Sequence, residues 1–197
     1  MSEARPYPRH VKTDAGEIEF RLMSRADEAA VLDFAKKLPT HDLLFLPRNI
    51  SEPKVLSAWI NEIERGAITS LLAVKEGRVV GSGTLVRDPH SWSPHVGELR
   101  MVVSADVRGQ GVGRALSQET FLLALGAGLE KLSVQMTVDQ RAAIALFESL
   151  GFKAEALLHD HVRDVDGKKH DIVVLGHNIA QFAAQLEAFG LPEAVQS

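Results

Sequence analysis

An extended apolar run at residues 99–103 and a helix-like pattern at Val112, Leu116, Leu123 and Ala127 enclose the heptapeptide Arg108-Gly109-Gln110-Gly111-Val112-Gly113-Arg114. Strand, glycine turn and helix start form an arrangement that holds a phosphate. Without Cβ atoms the backbone can come close to an anion, and the first N–H groups of a helix have no partner within it. The helix dipole adds partial positive charge at the same point, and Arg108 and Arg114 flank it. Three kinds of site share this logic, and spacing separates them. A dinucleotide fingerprint, G-x-G-x-x-G/A, fails because its last position falls on Arg114 or Leu116. A P-loop needs Lys-Ser/Thr after its final glycine, where this chain has Arg114-Ala115. What remains is Arg-x-x-Gly-x-Gly, with Arg108, Gly111 and Gly113.

A second block lies about thirty residues on: Gln140-Arg141-Ala142-Ala143-Ile144-Ala145-Leu146-Phe147-Glu148-Ser149-Leu150-Gly151-Phe152. The first block resembles the pyrophosphate-binding signature of the GNAT superfamily, the acyl-CoA-dependent N-acetyltransferases. The second is similar to that family's Asn-x-x-Ala-x-x-Leu-Tyr-x-x-x-Gly-Phe helix. Two blocks in the right order are far more specific than either alone. Two positions depart from the pattern. Gln140 replaces the usual asparagine, and Phe147 replaces a tyrosine that in many members protonates the departing CoA thiolate. The chain's single tyrosine is Tyr7. The resemblance therefore leaves the general acid unassigned.

The rest of the chain fits one domain with a sizeable core, since 197 residues suffice for that. Residues 1–15, with two prolines and mixed charges, read as a mobile N-terminal arm. Alternation predicts strands at residues 18–22, 70–74, 79–86, 96–103, 132–136, 152–162 and 172–175, with hairpin turns at Glu76-Gly77 and Asp166-Gly167. Helices are predicted at residues 27–37 (capped by Ser24), 53–65, from 112 onward, 140–150 and 179–189. The apolar cluster Leu43-Leu44-Phe45-Leu46 lies in an otherwise irregular stretch and must tuck into the core or line a groove. This order resembles the whole GNAT domain, placed here at residues 16–177 with a C-terminal helix and tail at 178–197. The implied architecture is α/β of the α+β kind: a mixed, mostly antiparallel sheet of six to seven strands. It is splayed between the fourth and fifth strands and flanked by helices.

The resemblance implies acetyl-CoA as cosubstrate and no metal. It places the general base at Glu98, at the start of the strand that feeds the glycine turn, although pairing of Glu98 with Arg100 is the bland alternative. A free lysine amine titrates near ~10.4 and must lose a proton before it attacks, which a positioned carboxylate can accept. The peptide groups of Met101, Val102 and Val103 would pair with the pantetheine arm like an added strand, with the Met101 amide donating to the thioester oxygen. Arg108, Gly109, Gln110, Gly111, Val112, Gly113 and Arg114 would hold the pyrophosphate. Gln140 and Phe147 would border the pantetheine and thioester. Glu119 and Glu148 read as surface charges on helices.

The motifs define the donor and leave the acceptor open. Residues 41–46, 92–100 and 162–171 resemble small bacterial protein lysine acetyltransferases, which modify the catalytic lysine of acyl-CoA synthetases. That implies a protein partner with a reactive lysine. The alternatives are a small primary amine (polyamine, amino acid or aminoglycoside) and a non-catalytic acyl-CoA-binding sensor. A net charge of −4 offers no general attraction to nucleic acid or to an anionic membrane. The apolar stretch at 121–129 is too short to span a bilayer, and residues 1–6 lack the apolar core of a signal peptide. A cytoplasmic monomer or homodimer is the expectation.

Overall fold

The computed structural model describes residues 6–44, 46 and 48–180. One eight-stranded sheet runs in the order β1-β2-β3-β4-β5-β6-β8-β7. Its first half is an antiparallel meander of β1 (Arg9–Thr13), β2 (Gly16–Leu22), β3 (Ile68–Lys75), β4 (Arg78–Val86) and β5 (Val96–Val103). The second half is β6 (Lys131–Thr137), β8 (Lys169–Asn178) and β7 (Lys153–Arg163), also antiparallel. A single parallel pairing joins the halves, and it holds only Val96, Gly97 and Glu98 against Lys131, Leu132 and Ser133. Beyond those residues β5 and β6 diverge. The expected splay between the fourth and fifth predicted strands is this opening.

Helices cover both faces. On one face α1 (Glu28–Lys37) and α3 (Pro53–Glu64) bury Val31, Phe34, Leu56 and Ile60 against Leu72, Val74, Val79 and Val102. On the other, α4 (Val112–Gly126) lays Val112, Ala115 and Leu116 on Leu71, Ala73 and Val80. Contact between α4 and β4 is close because Gly83 has no Cβ; one built there would overlap the Thr120 hydroxyl. Between the short turn α2 (Thr40–Leu43) and the core, Leu43 and Leu46 pack against the α1–α3 cluster, so the apolar segment tucks inward. Phe45 lies outside the described residues. Helix α5 (Arg141–Ser149) follows β6 and ends at Gly151, as its sequence predicts. The predicted helix at 179–189 falls beyond residue 180 for nearly all its length, outside the described residues.

Two expectations need correction. The arm expected to be mobile through residue 15 contains β1, which extends the sheet to eight strands rather than six or seven. Its only large apolar residue in the strand, Val11, packs with Tyr7 on the α4 side, a long-range contact that alternation in so short and polar a segment does not signal. Glu119 is not a surface charge: it is 5% exposed, accepts a hydrogen bond from the Tyr7 hydroxyl at 3.1 Å and lies 3.5 Å from Arg9 Nε. The same helix side that faces the sheet thus also anchors the N-terminal strand.

Candidate active site

Strand β5 carries the site because its two faces alternate. Leu99, Met101 and Val103 turn toward the α4 and α5 side of the core, whereas Val102 packs with the α1–α3 cluster on the opposite face. Glu98 and Arg100 share the face of Val102 by the same alternation. Past the three-residue pairing with β6, the edge of β5 looks into the splay, where a ligand can add to it as a strand would.

A cleft of about 470 Å³ occupies the splay. Met101, Val102, Val103, Arg108, Gly109, Gly113, Gln140 and Phe147 line it, so the structure brings these predicted residues together. At its glycine end, Gly109 and Gly111 have φ of +71° and +83°, a left-handed backbone that glycine adopts without strain. The first return hydrogen bond of α4 runs from the Ala115 N–H to the Gly111 carbonyl at 3.0 Å, which leaves the Val112, Gly113 and Arg114 N–H groups at an open helix start. Val112 can offer only its backbone, since its side chain is fully buried in the core. The side chains of Gln110 and Arg114 bond elsewhere, to the Asp106 carbonyl and the Ser149 hydroxyl, each at 2.9 Å. Arg108 donates to the Val103 carbonyl and is paired with Asp42.

The far wall is α5. Phe147 is 4% exposed and packs edge-on against Phe152 with ring centres 5.2 Å apart, so it serves the core and the cleft wall at once. Gln140 stands at the helix start. Its Oε1 is buried and has no hydrogen-bond partner among the described residues. A buried amide oxygen without a donor costs free energy, and a secondary-amide N–H of a pantetheine arm would satisfy it. The glycine cradle, the open strand edge and this orphaned acceptor fit acyl-CoA.

Glu98 does not line that cleft. Arg100 holds its carboxylate from both ends, Nε donating to Oε1 at 2.8 Å and Nη2 to Oε2 at 3.0 Å. The pair is partly exposed, at 31% for Glu98 and 21% for Arg100, so water reaches it. Arg100 also borders a second cleft, of about 440 Å³, on the α3 side. Leu46, Ile50, Val55, Trp59 and Ile68 supply its apolar lining, with Arg48, Glu62 and Thr84 among its polar groups. Arg100 belongs to both clefts.

Sequence reasoning assigned no site role to His41, Asp42 or Asp139, all of which line the first cleft. Asp139 follows β6 and precedes Gln140. The Thr137 hydroxyl beside it, its own backbone N–H and the nearby His41 and His170 hold its carboxyl below the usual carboxylate range against the opposing effect of burial. The signals for this wall were the resemblance carried by residues 41–46 and the apolar segment at 43–46, whose Leu43 and Leu46 bring α2 down onto the core.

A family model described as "Acetyltransferase (GNAT) family" matches residues 35–152, more than half of the chain. The chain belongs to the GNAT acetyltransferase family. The chain is 31% identical over 83 residues to a protein named putative phosphinothricin acetyltransferase YwnH of Bacillus subtilis, covering 42% of this chain and 50% of that protein. It is 31% identical over 76 residues to the [Ribosomal protein bS18]-alanine N-acetyltransferase of Escherichia coli, covering 39% and 51%. The match thus spans about half the length of these curated relatives. Among solved structures, the putative acetyltransferase yncA of Salmonella typhimurium, determined with its cofactor acetyl-CoA, superposes with a TM-score of 0.70. It shares 20% identity and covers 82% of this chain and 94% of that one. The ribosomal-protein-alanine N-acetyltransferase of Brucella melitensis gives 0.69 at 23% identity, over 81% and 98%. At such identities these likenesses establish the GNAT fold and nothing finer.

Proposed function

We propose that the protein transfers an acetyl group from acetyl-CoA to a lysine side chain on another protein, by direct attack in a ternary complex. An acyl-CoA synthetase is the acceptor class. The observation that carries this reading is the pair of clefts meeting at Arg100. Donor and acceptor enter from opposite faces of β5 and meet beside Glu98. The family membership and the acetyl-CoA named for a structural neighbour support the donor.

The lining of the α3-side cleft supports the acceptor. Its aliphatic and aromatic walls suit the methylene stem of a lysine. Among the described residues the lining of this cleft holds Arg48, Arg100 and one acid, Glu62, so it offers no acidic cluster to a free polycation. At that end of the sheet the loop after β4 exposes Trp92 completely, an aromatic anchor of the kind protein interfaces use.

In this mechanism the residues divide the work. The N–H groups of the 109–114 turn and Arg108 hold the pyrophosphate. The β5 edge and Gln140 hold the pantetheine, and the Met101 amide donates to the thioester oxygen as charge develops there. Glu98 accepts the first proton of the lysine ammonium, through water while Arg100 occupies its oxygens. Arg100 and Arg48 make the acceptor cleft unfavourable for a cation, which assists that proton loss.

The test is thiol release from acetyl-CoA with two acceptor pools, one of acyl-CoA synthetases and one of small primary amines. Turnover confined to the synthetases, with acetyl found on a lysine, is the expected result. Turnover with small amines alone overturns the protein acceptor. Tight CoA binding without turnover in either pool makes the protein an acyl-CoA sensor.

A further inference from the structure

We propose that the loop between β4 and β5, residues 87–95, is the docking element for the acceptor protein, with the Trp92 indole seated in an apolar pocket beside the target lysine. The inference rests on the protein-lysine reading above and adds to it the place where the partner is held.

The length of this loop needs a reason. Strands β3 and β4 are joined by Glu76 and Gly77 alone, which is all an antiparallel pair requires. Strands β4 and β5 are also antiparallel neighbours, yet the whole of 87–95 separates Val86 from Val96. Connections that outrun the geometric need are where recognition residues sit. The extra chain is not slack. The His90 N–H donates to Asp88 Oδ1 at 3.0 Å, the Ser91 hydroxyl to the Asp88 carbonyl at 2.9 Å and the Ser93 N–H to Ser91 Oγ at 3.1 Å. Pro89 and Pro94 fix φ on either side of the tip. At the far end the His95 carbonyl accepts from the Glu130 and Lys131 N–H groups, at 2.9 and 3.2 Å, which ties the loop to the start of β6. None of these bonds uses the Trp92 indole, which is left fully exposed. A large ring on a braced loop loses little conformational freedom when a partner covers it, and tryptophan is among the residue types that dominate the energy of such contacts.

The place of the loop suits a protein acceptor. Val86, at its root, is the cross-strand partner of Glu98. On its other side Val86 pairs with Ile68, which lines the α3-side cleft. The loop therefore springs from the level of the proposed base, at the rim of the proposed acceptor cleft. Trp92 precedes Glu98 by six positions, so chain length alone keeps their Cα atoms within roughly 22 Å of each other. A lysine carries its ammonium on a stem of only four carbons. A protein that delivers that ammonium to Glu98 thus brings its own surface to the rim where the loop stands. A free small amine has no such surface to offer the indole.

The experiment compares the full-length wild type with W92A, W92F and W92K. It uses acetyl-CoA and an intact acyl-CoA synthetase, follows thiol release, and measures the acetyl-CoA dissociation constant of each preparation by calorimetry. W92A is expected to raise the KM for the synthetase roughly 30-fold, the scale of a truncated interface anchor. Its kcat and its acetyl-CoA dissociation constant stay within about twofold of wild type, which also shows that the fold is kept. W92K, which sets a charge against an apolar pocket, raises that KM at least as far. W92F keeps a ring and recovers about threefold or more of the loss, an effect that a merely structural role of the loop does not produce. A KM for the synthetase within about threefold of wild type in both W92A and W92K overturns the anchor, as does a loss confined to kcat. Wild-type protein that acetylates no synthetase overturns the protein-lysine reading itself, and the anchor with it.

Discussion

On the splay side of β5 the cleft offers backbone groups to a ligand: a glycine turn, a helix start and an unpaired strand edge. On the α3 side it is made of side chains drawn from the loop after α2, from α3 and from three strands. Backbone recognition demands glycine at fixed spacing and tolerates little else, because a Cβ or a negative φ removes the cradle. Side-chain recognition has many solutions. One face can therefore stay constant while the other changes its acceptor, a division that the diverse names of this chain's relatives illustrate.

The comparison can be broken most decisively at Gly111. G111V forces a β-branched residue to φ +83° and should weaken CoA binding by more than about 100-fold, from backbone strain and the loss of the N–H cradle together. Calorimetry showing CoA affinity within threefold of wild type contradicts the backbone account. E98Q acts on the other side of the divide. It should lower kcat by about 100-fold while the CoA dissociation constant stays within twofold, measured by thiol release and calorimetry on one preparation. Equal losses in both would place Glu98 among the cofactor contacts.

A third change concerns the frame rather than either cleft. Asp27 is 5% exposed, accepts the Ser24 N–H at 2.9 Å and lies 2.6 Å from Arg21 Nη1. Burial alone would push its carboxyl up, yet the Ser24 N–H and the Arg21 guanidinium hold it below the ordinary value. A carboxyl lowered in the fold contributes stability above its unfolded pKa and loses it as pH falls through the folded one. D27N should cost about 1–3 kcal/mol at pH 7, and the gap to wild type should close in acid. Urea melts at pH 7 and pH 3 check both statements. The smallest effect is expected at D42N, which removes a negative charge from Arg108 at the pyrophosphate end. CoA should bind roughly two- to fivefold tighter, the scale of an exposed ion pair. Weaker binding would mean that Asp42 positions Arg108 rather than competes for it.

How much was legible follows the same division. Glycine spacing exposed the left-handed turn before α4, and the order of alternating and helical segments exposed the splayed sheet. The Glu76-Gly77 hairpin was equally readable, because the strands it joins pair locally and both turn residues have positive φ, 50° and 77°. What stayed hidden depends on long-range contact. Strand β1 reads as a charged arm until Val11 and Tyr7 meet α4. Glu119 reads as a solvent charge until Arg9 and Tyr7 reach it. His41 and Asp139 lie 98 positions apart, and no local pattern announces that a one-turn helix will carry the first to the second.

The two halves of the sheet share a seam three residues long, between Val96–Glu98 of β5 and 131–133 of β6. A molecule lying in the splay would supply the rungs that β6 does not, so occupancy and cohesion of the fold are thermodynamically linked. Saturation at a hundred times the dissociation constant adds about 2.7 kcal/mol to the free energy of unfolding. The protein's resistance to heat or proteolysis thus becomes a gauge of how much acyl-CoA surrounds it.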